Sequence, residues 1–200
     1  MQEVYVSVDI EAAGPSPGVY SMLSIGACVV ANTSKNFYRE LKPVNSTYIA
    51  EALKRCSFSE QVSRRIVEFG EDYPRSVMKA LTELGADPKN AMQDFSDWII
   101  EVAASDFPVF VGFNAPFDWM FVCDYFWRFI GRNSFGHNAL DIKSYYMGMA
   151  GCEWRRTGKR GIPAEFHSNR RHTHYALDDA IEQAEMFEKL IKARVRLRYK

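Results

Sequence analysis

Residues 4–11 read Val-Tyr-Val-Ser-Val-Asp-Ile-Glu, a short apolar run that closes on two acids. Val4 to Ile10 reads as a buried strand, because a β-branched run this short suits a sheet interior better than a helix. Asp9 and Glu11 are two residues apart, so on a strand they point to the same face. Two anions side by side at the end of an apolar strand are costly to bury unless something positive joins them. A divalent cation is the simplest partner, and hard oxygen ligands select Mg²⁺ or Mn²⁺. The competing explanation is a frayed strand end with both carboxylates in water.

Working outward, Gly14, Pro15, Pro17 and Gly18 break the chain into a loop. Leu23 to Val30 (LSIGACVV) reads as a second strand, Asn32 to Lys35 as a turn, and Asn36 to Leu41 as a third strand. Such short links suggest an antiparallel meander. Residues 47–85 hold helical pieces interrupted at Pro74 and Gly85. Asp87 then caps a helix with Pro88 in its first turn, and Met92, Phe95, Trp98, Ile99 and Val102 recur at helical spacing. Val109 to Phe113 is a further strand. Asn114 is placed to cap a helix running from Ala115 to Ile130 and ending at Gly131, and Ala139 to Asp141 forms a short strand before another helix.

Residues 151–172 carry Arg155, Arg156, Lys159, Arg160, Arg170 and Arg171 among glycines and a proline, and read as a long, basic, mobile loop. It is either a solvated surface or a grip on a phosphate backbone. A last helix is expected over Thr173 to Ala193. Strands first, then helices alternating with strands, indicate a mixed α/β domain, and the 200 residues read as one domain.

Composition sets bounds rather than answers. The chain is 47% hydrophobic and 25% charged, with a formal net charge of zero, so attraction to a polyanion must be local. The four cysteines, Cys28, Cys56, Cys123 and Cys152, make no C-x-x-C pair, which suits reduced thiols in a cytoplasmic protein rather than a disulfide framework or zinc site. No basic segment leads into an apolar one at the N-terminus and no apolar run reaches 18 residues, so neither a secretory leader nor a membrane span is expected.

Two more pieces bear on chemistry. Asp118 follows a strand and falls in the first turn of a helix, where the helix dipole alone favours an acid. In His174 to Ala180 (HYALDDA), Ala176, Ala180, Ala184, Phe187 and Ile191 gather on one helical face. Asp179 flanks that face while Asp178 points away, so Asp179 is the acid able to reach a buried site. His174 stands at the helix start, where a lone histidine is ordinarily a surface or capping group.

Taken jointly, Asp9-Ile10-Glu11, then Asn114-Ala115-Pro116-Phe117-Asp118, then His174-Tyr175-Ala176-Leu177-Asp178-Asp179 resemble the three motifs of the DEDDh 3′–5′ exonucleases, in that family's order. The resemblance implies a ribonuclease H-like fold, with an antiparallel meander extended by parallel strands. It implies that Asp9, Glu11, Asp118 and Asp179 hold two Mg²⁺ or Mn²⁺ ions and that His174 is the general base. It implies single-stranded DNA or RNA with a free 3′ end as partner, nucleoside 5′-monophosphates as products, and a homodimer as a possible assembly. Expected substrate contacts are Ala12, Asn114 and Phe117, with Arg155 and Arg156 from the basic loop. The family commonly follows its D-x-E with a Thr-Gly-Leu-like sequence, and this chain has Ala12-Ala13-Gly14-Pro15. Met22 or Leu23 is therefore expected to supply the missing apolar wedge against the terminal base.

A binding or scaffolding domain that has lost catalysis is the competing function. All five motif positions are filled, which speaks against it, and His174 speaks against a ribonuclease H-like endonuclease. Asp141 reads as a helix cap, His137, His167 and His172 as surface groups. The aromatic run from Trp119 to Phe129 reads mostly as core.

Overall fold

The computed structural model describes residues 2–137 and 139–198. Five strands form one sheet in the order β3-β2-β1-β4-β5. β1 (Glu3–Ala12), β2 (Met22–Val29) and β3 (Asn32–Glu40) make the antiparallel meander. β3 begins earlier than the sequence suggested, because the turn between Val29 and Asn32 is tight enough for those two residues to pair. β4 (Phe107–Gly112) and β5 (Ala139–Asp141) join parallel to β1 and to each other. The sheet is mixed, flanked by helices, and has the ribonuclease H-like arrangement.

β1 is the central strand, and its alternation divides the molecule. Val6, Val8, Ile10 and Ala12 enter a core with α4 (Pro88–Ala103) and α5 (Ala115–Ile130), around Phe95, Phe121 and Phe126. The opposite face is covered by α6 (Ile142–Ala150) and α7 (Ala176–Arg198), around Val111, Ile142 and Phe187. Asp9 and Glu11 belong to that second face. A third cluster joins α1 (Ala50–Leu53), α2 (Glu60–Phe69) and α3 (Tyr73–Leu84), the region that sequence patterning left unresolved. Pro74 lies in the first turn of α3, where its missing N–H costs nothing, so it opens that helix instead of breaking one.

One close approach seats α7 on the sheet, and one side chain ties α5 to α6. Gly26 of β2 pairs with Asp9, and a Cβ built on it would lie 2.3 Å from the backbone of Ala176 and Leu177. Only glycine lets the first turn of α7 rest on the strand beside Asp9. At the far side of the sheet, one Asp141 carboxylate accepts from the N–H of Ser144, capping α6, and from the N–H of Ala115 at the start of α5. Asp141 is thus a structural cap. Asn114 precedes α5 in a left-handed conformation (φ 68°), but its side chain does not cap the helix and instead accepts from Lys143.

Residues 151–172 are not the irregular loop that composition suggested. Three short 3₁₀ turns, Trp154–Arg156, Lys159–Gly161 and Ala164–Phe166, fold them onto the protein, with Thr157 and Ile162 buried.

Candidate active site

Four elements converge on one cleft. β1 brings Asp9 and Glu11, the first turn of α5 brings Asp118, α7 brings Asp179, and the turn before α7 brings His174. One carboxylate oxygen from each of Asp9, Glu11 and Asp179 lies within 4.8 Å of the other two. Asp118 is buried and accepts from the backbone N–H of Ile10 at 3.1 Å, which ties the start of α5 to the strand between the two acids.

The electrostatics are those of crowded anions. Burial raises Asp9 well above the carboxylate range, and Asp118, Glu11 and Asp179 push in the same direction. Burial lifts Glu11 to about 7 against a bond from the Cys56 thiol, and lifts Asp118 to about 8. Such a set of hard oxygens fits a divalent cation, which would remove the repulsion. Among the described residues, Asp9, Glu11 and Asp179 form a group able to hold one.

Asp179 behaves differently. Burial works against its charge, but the His172 ring 3.0 Å away and the N–H groups of Thr173 and His174 at 2.9 Å outweigh that and keep it low. Those two N–H bonds explain why the helix begins at Ala176 rather than at Thr173: residues 173–175 form a turn folded over the Asp179 carboxylate. His174 sits in the left-handed region of that turn (φ 56°). Its carbonyl accepts from the N–H of Ser57 at 2.7 Å, and Thr173's carbonyl accepts from the Ser57 hydroxyl at 2.8 Å. Asp178 is only partly buried, with the Thr173 hydroxyl as its contact.

His172, which the sequence gave no reason to promote, belongs to the site. Its ring meets the His174 ring edge to face, with centroids 4.4 Å apart. Bonds to Asp179 and Glu182 raise His172 to about 9, whereas burial, with the neighbouring His172 charge, lowers His174. Two adjacent imidazoles are therefore driven apart, one held as a cation and the other as a neutral base. No spacing rule relates His172 to Glu182, so the pairing becomes visible only once the turn is folded.

Gln183 was missed for the same reason. It is 3% exposed and stands one helical turn after Asp179. Its amide donates to the Val8 carbonyl at 2.9 Å and accepts from the Phe113 N–H. One side chain thus ties α7 to the strand of Asp9 and to the segment that leads to Asp118. Gln183→Ala is expected to weaken Mn²⁺ binding by about 10–100-fold, the usual effect of removing a group that orients ligands. Calorimetric titration of Mn²⁺ checks this, and unchanged affinity would limit Gln183 to packing.

The expected substrate contacts separate into three groups. Ala12, Asn114 and Phe117 line the cleft, in a lobe shared with Pro15, Ile49 and His174. Met22 and Leu23 do not: both are 0% exposed, the first packed in the core under α5 and the second against α1 and α3. Neither can touch a base, so the wedge expected of them is corrected, and the exposed apolar side chains at that rim are Pro15 and Ile49. Arg155 is occupied with Glu153, and neither Arg155 nor Arg156 lines the cleft. The Lys or Arg side chain of that segment that does, among the described residues, is Lys159.

Similarity to known proteins agrees with this geometry. The model of the "3′-5′ exoribonuclease Rv2179c-like domain" matches residues 4–191. The 3′–5′ DNA exonuclease Cap18 of Escherichia coli is 41% identical over 192 residues, covering 96% of this chain and 93% of its own. Among solved structures, the nuclease domain of 3′hExo, a DEDDh family member bound to rAMP, superposes with a TM-score of 0.66 at 12% identity, over 94% of this chain and 92% of that one. The zinc-bound E. coli ExoI–ssDNA complex does so with a TM-score of 0.58 at 15% identity, over 97% of this chain and 41% of that one. The structural likenesses concern the fold; the family model and the 41% relative span nearly the whole chain, which therefore belongs to the 3′–5′ exoribonuclease Rv2179c-like domain family and is a 3′–5′ exonuclease of the DEDDh type.

Proposed function

We propose that this chain is a single exonuclease domain that removes nucleotides one at a time from the 3′ end of single-stranded nucleic acid, releasing nucleoside 5′-monophosphates. The observation that carries the reading is the convergence of Asp9, Glu11 and Asp179 beside His174, whose ring lies 3.9 Å from Glu11. In each cycle a water attacks the last phosphodiester phosphorus, the bond from phosphorus to the O3′ of the preceding nucleotide breaks, and that alkoxide takes up a proton. Two Mg²⁺ or Mn²⁺ ions, held by Asp9, Glu11, Asp118 and Asp179, would supply charge stabilisation to the phosphoryl group and the leaving oxygen. His174 accepts the proton of the attacking water. It has the ring type for this, and burial beside a cationic neighbour keeps it unprotonated. His172 is the poorer base, because its proton is shared with Asp179 and Glu182. Its role is to hold Asp179 in place. Ala12, Asn114 and Phe117 frame the terminal nucleotide, with Ile49 and Pro15 at the rim.

DNA is the first substrate to test, because the relative that is 41% identical is described as a DNA exonuclease. RNA is the second reading, favoured by the family description. The test is a time course with 5′-labelled single-stranded DNA, single-stranded RNA and a duplex, with Mg²⁺ or Mn²⁺. A ladder shortening from the 3′ end with mononucleotide release supports the proposal. Internal cuts, or binding without cleavage, would refute it. Among the described residues no helix is long and apolar enough to cross a membrane.

A further inference from the structure

We infer that the pocket lined by Asp9, Asp179 and Glu182 together with Phe113, Lys159, His172 and Gln183 is a subsite for the phosphate on the 5′ side of the penultimate nucleotide, with Lys159 as the cation that meets it beside those carboxylates. This rests on the exonuclease reading above and adds a second point of hold on the same strand.

Two lobes of the cleft meet at Asp9, Phe113 and His172. One has the apolar walls a base requires, from Ile49, Ala52, Pro15 and Phe117. When the last nucleotide fills that lobe and its phosphate lies at the acids, the rest of the strand must leave in another direction. The second lobe opens on the other side of Asp9, and Lys159 is the Lys or Arg side chain that lines it.

The segment carrying Lys159 is built to hold it there. A Cβ on Gly161 would lie 2.3 Å from the Arg156 carbonyl oxygen, so the two 3₁₀ turns close on each other only with glycine at that position. The Thr157 side chain is buried and donates to the Trp154 carbonyl at 2.7 Å, and Ile162 anchors the far end in the core. Lys159 then lies over the Phe113 ring, 5.6 Å from its centroid, and pairs with Glu182. An ordinary solvated lysine needs none of this framing. An ammonium has three donors, so one can stay on Glu182 while another meets a phosphate oxygen. The competing account is that the pair merely fastens the segment to α7.

A short single strand with one uncharged methylphosphonate linkage, placed immediately 5′ of the penultimate nucleotide, separates the two. For first-nucleotide removal, wild type is expected to show a KM about tenfold higher on that strand than on the all-phosphate strand, the worth of one charge-assisted bond. Lys159→Gln should raise KM on the all-phosphate strand more than on the modified strand, and lose the distinction between strands. Lys159→Arg should restore it. A Lys159→Gln enzyme that keeps the full wild-type distinction, or one that slows equally on both strands as an unfastened segment would, overturns the inference. So does a wild type indifferent to the modification. Failure of wild type to shorten either strand would instead overturn the exonuclease reading.

Discussion

Asp9→Asn is expected to lower hydrolysis by about 10³-fold or more, since a cation site contributes several kcal/mol of charge stabilisation and each 1.4 kcal/mol is about tenfold in rate. The fold should survive. Asp9 shares the cleft with three other acids, and in the metal-stripped protein its loss relieves repulsion instead of removing a partner. The pH dependence follows from the burial of these acids. Glu11 and Asp118 titrate in the folded chain at about 7 and about 8, above the ordinary carboxyl range. A carboxyl raised in this way favours the fold when protonated. Its contribution is complete below the unfolded value of about 4, and is lost as pH rises through the folded value. Thermal unfolding of metal-stripped wild type should therefore fall in midpoint as pH climbs above about 4, and level off as pH passes about 7 for Glu11 and about 8 for Asp118. Asp9→Asn should flatten that decline, and saturating Mn²⁺ should remove it from wild type. Undiminished turnover by the variant, or an equally steep decline, would sink the assignment of Asp9.

His174→Asn should cost about 10²–10⁴-fold in kcat, the usual worth of a general base. Asparagine is the informative replacement because position 174 is left-handed, a conformation asparagine tolerates and alanine resists. Burial and the His172 charge hold the His174 pKa below that of an ordinary imidazole, so wild-type kcat/KM should stay high below about pH 6.5 before it falls. The variant should lack that acidic limb. Mn²⁺ affinity should change little, because the His174 ring is 3.9 Å from Glu11 and is not needed to complete the three-acid group. His172, His174 and Asp179 also lie within 4.8 Å of one another, so loss of Mn²⁺ binding would move His174 among the ligands and refute its role as base.

Local sequence rules made much of the framework legible. Val4 to Ile10 alternates around a central strand, Asp87 and Pro88 open α4, and Gly131 closes α5 in the left-handed conformation that glycine favours. The choice of Asp179 over Asp178 needed only the 100° helical increment, and burial agrees with it. What escaped depends on contacts between distant segments. Composition reads residues 151–172 as basic and loose, because it carries no sign that Gly161 packs on Arg156 or that Ile162 reaches the core. Met22 and Leu23 were placed at the rim by analogy with an apolar wedge, but β2 is buried along its whole length and keeps them inside. His172 and Gln183 acquire their partners only when α7 and the turn before it close over β1.

The seat of α7 on Gly26 couples occupancy of the cleft to opening of the helix. Asp9 and Glu11 ride on the first strand of the sheet, whereas Asp179 arrives on the last helix, which rests on the strand with no Cβ between them. A ligand that bridges Asp179 to the other two acids also fastens that helix, and undocking the helix releases the ligand. By mass action, each tenfold rise in free ligand above its dissociation constant adds about 1.4 kcal/mol to the free energy of undocking. The backbone amides of α7 should then exchange with solvent hydrogen at a rate set by the cation concentration of the buffer, making this helix a gauge of the ion it holds.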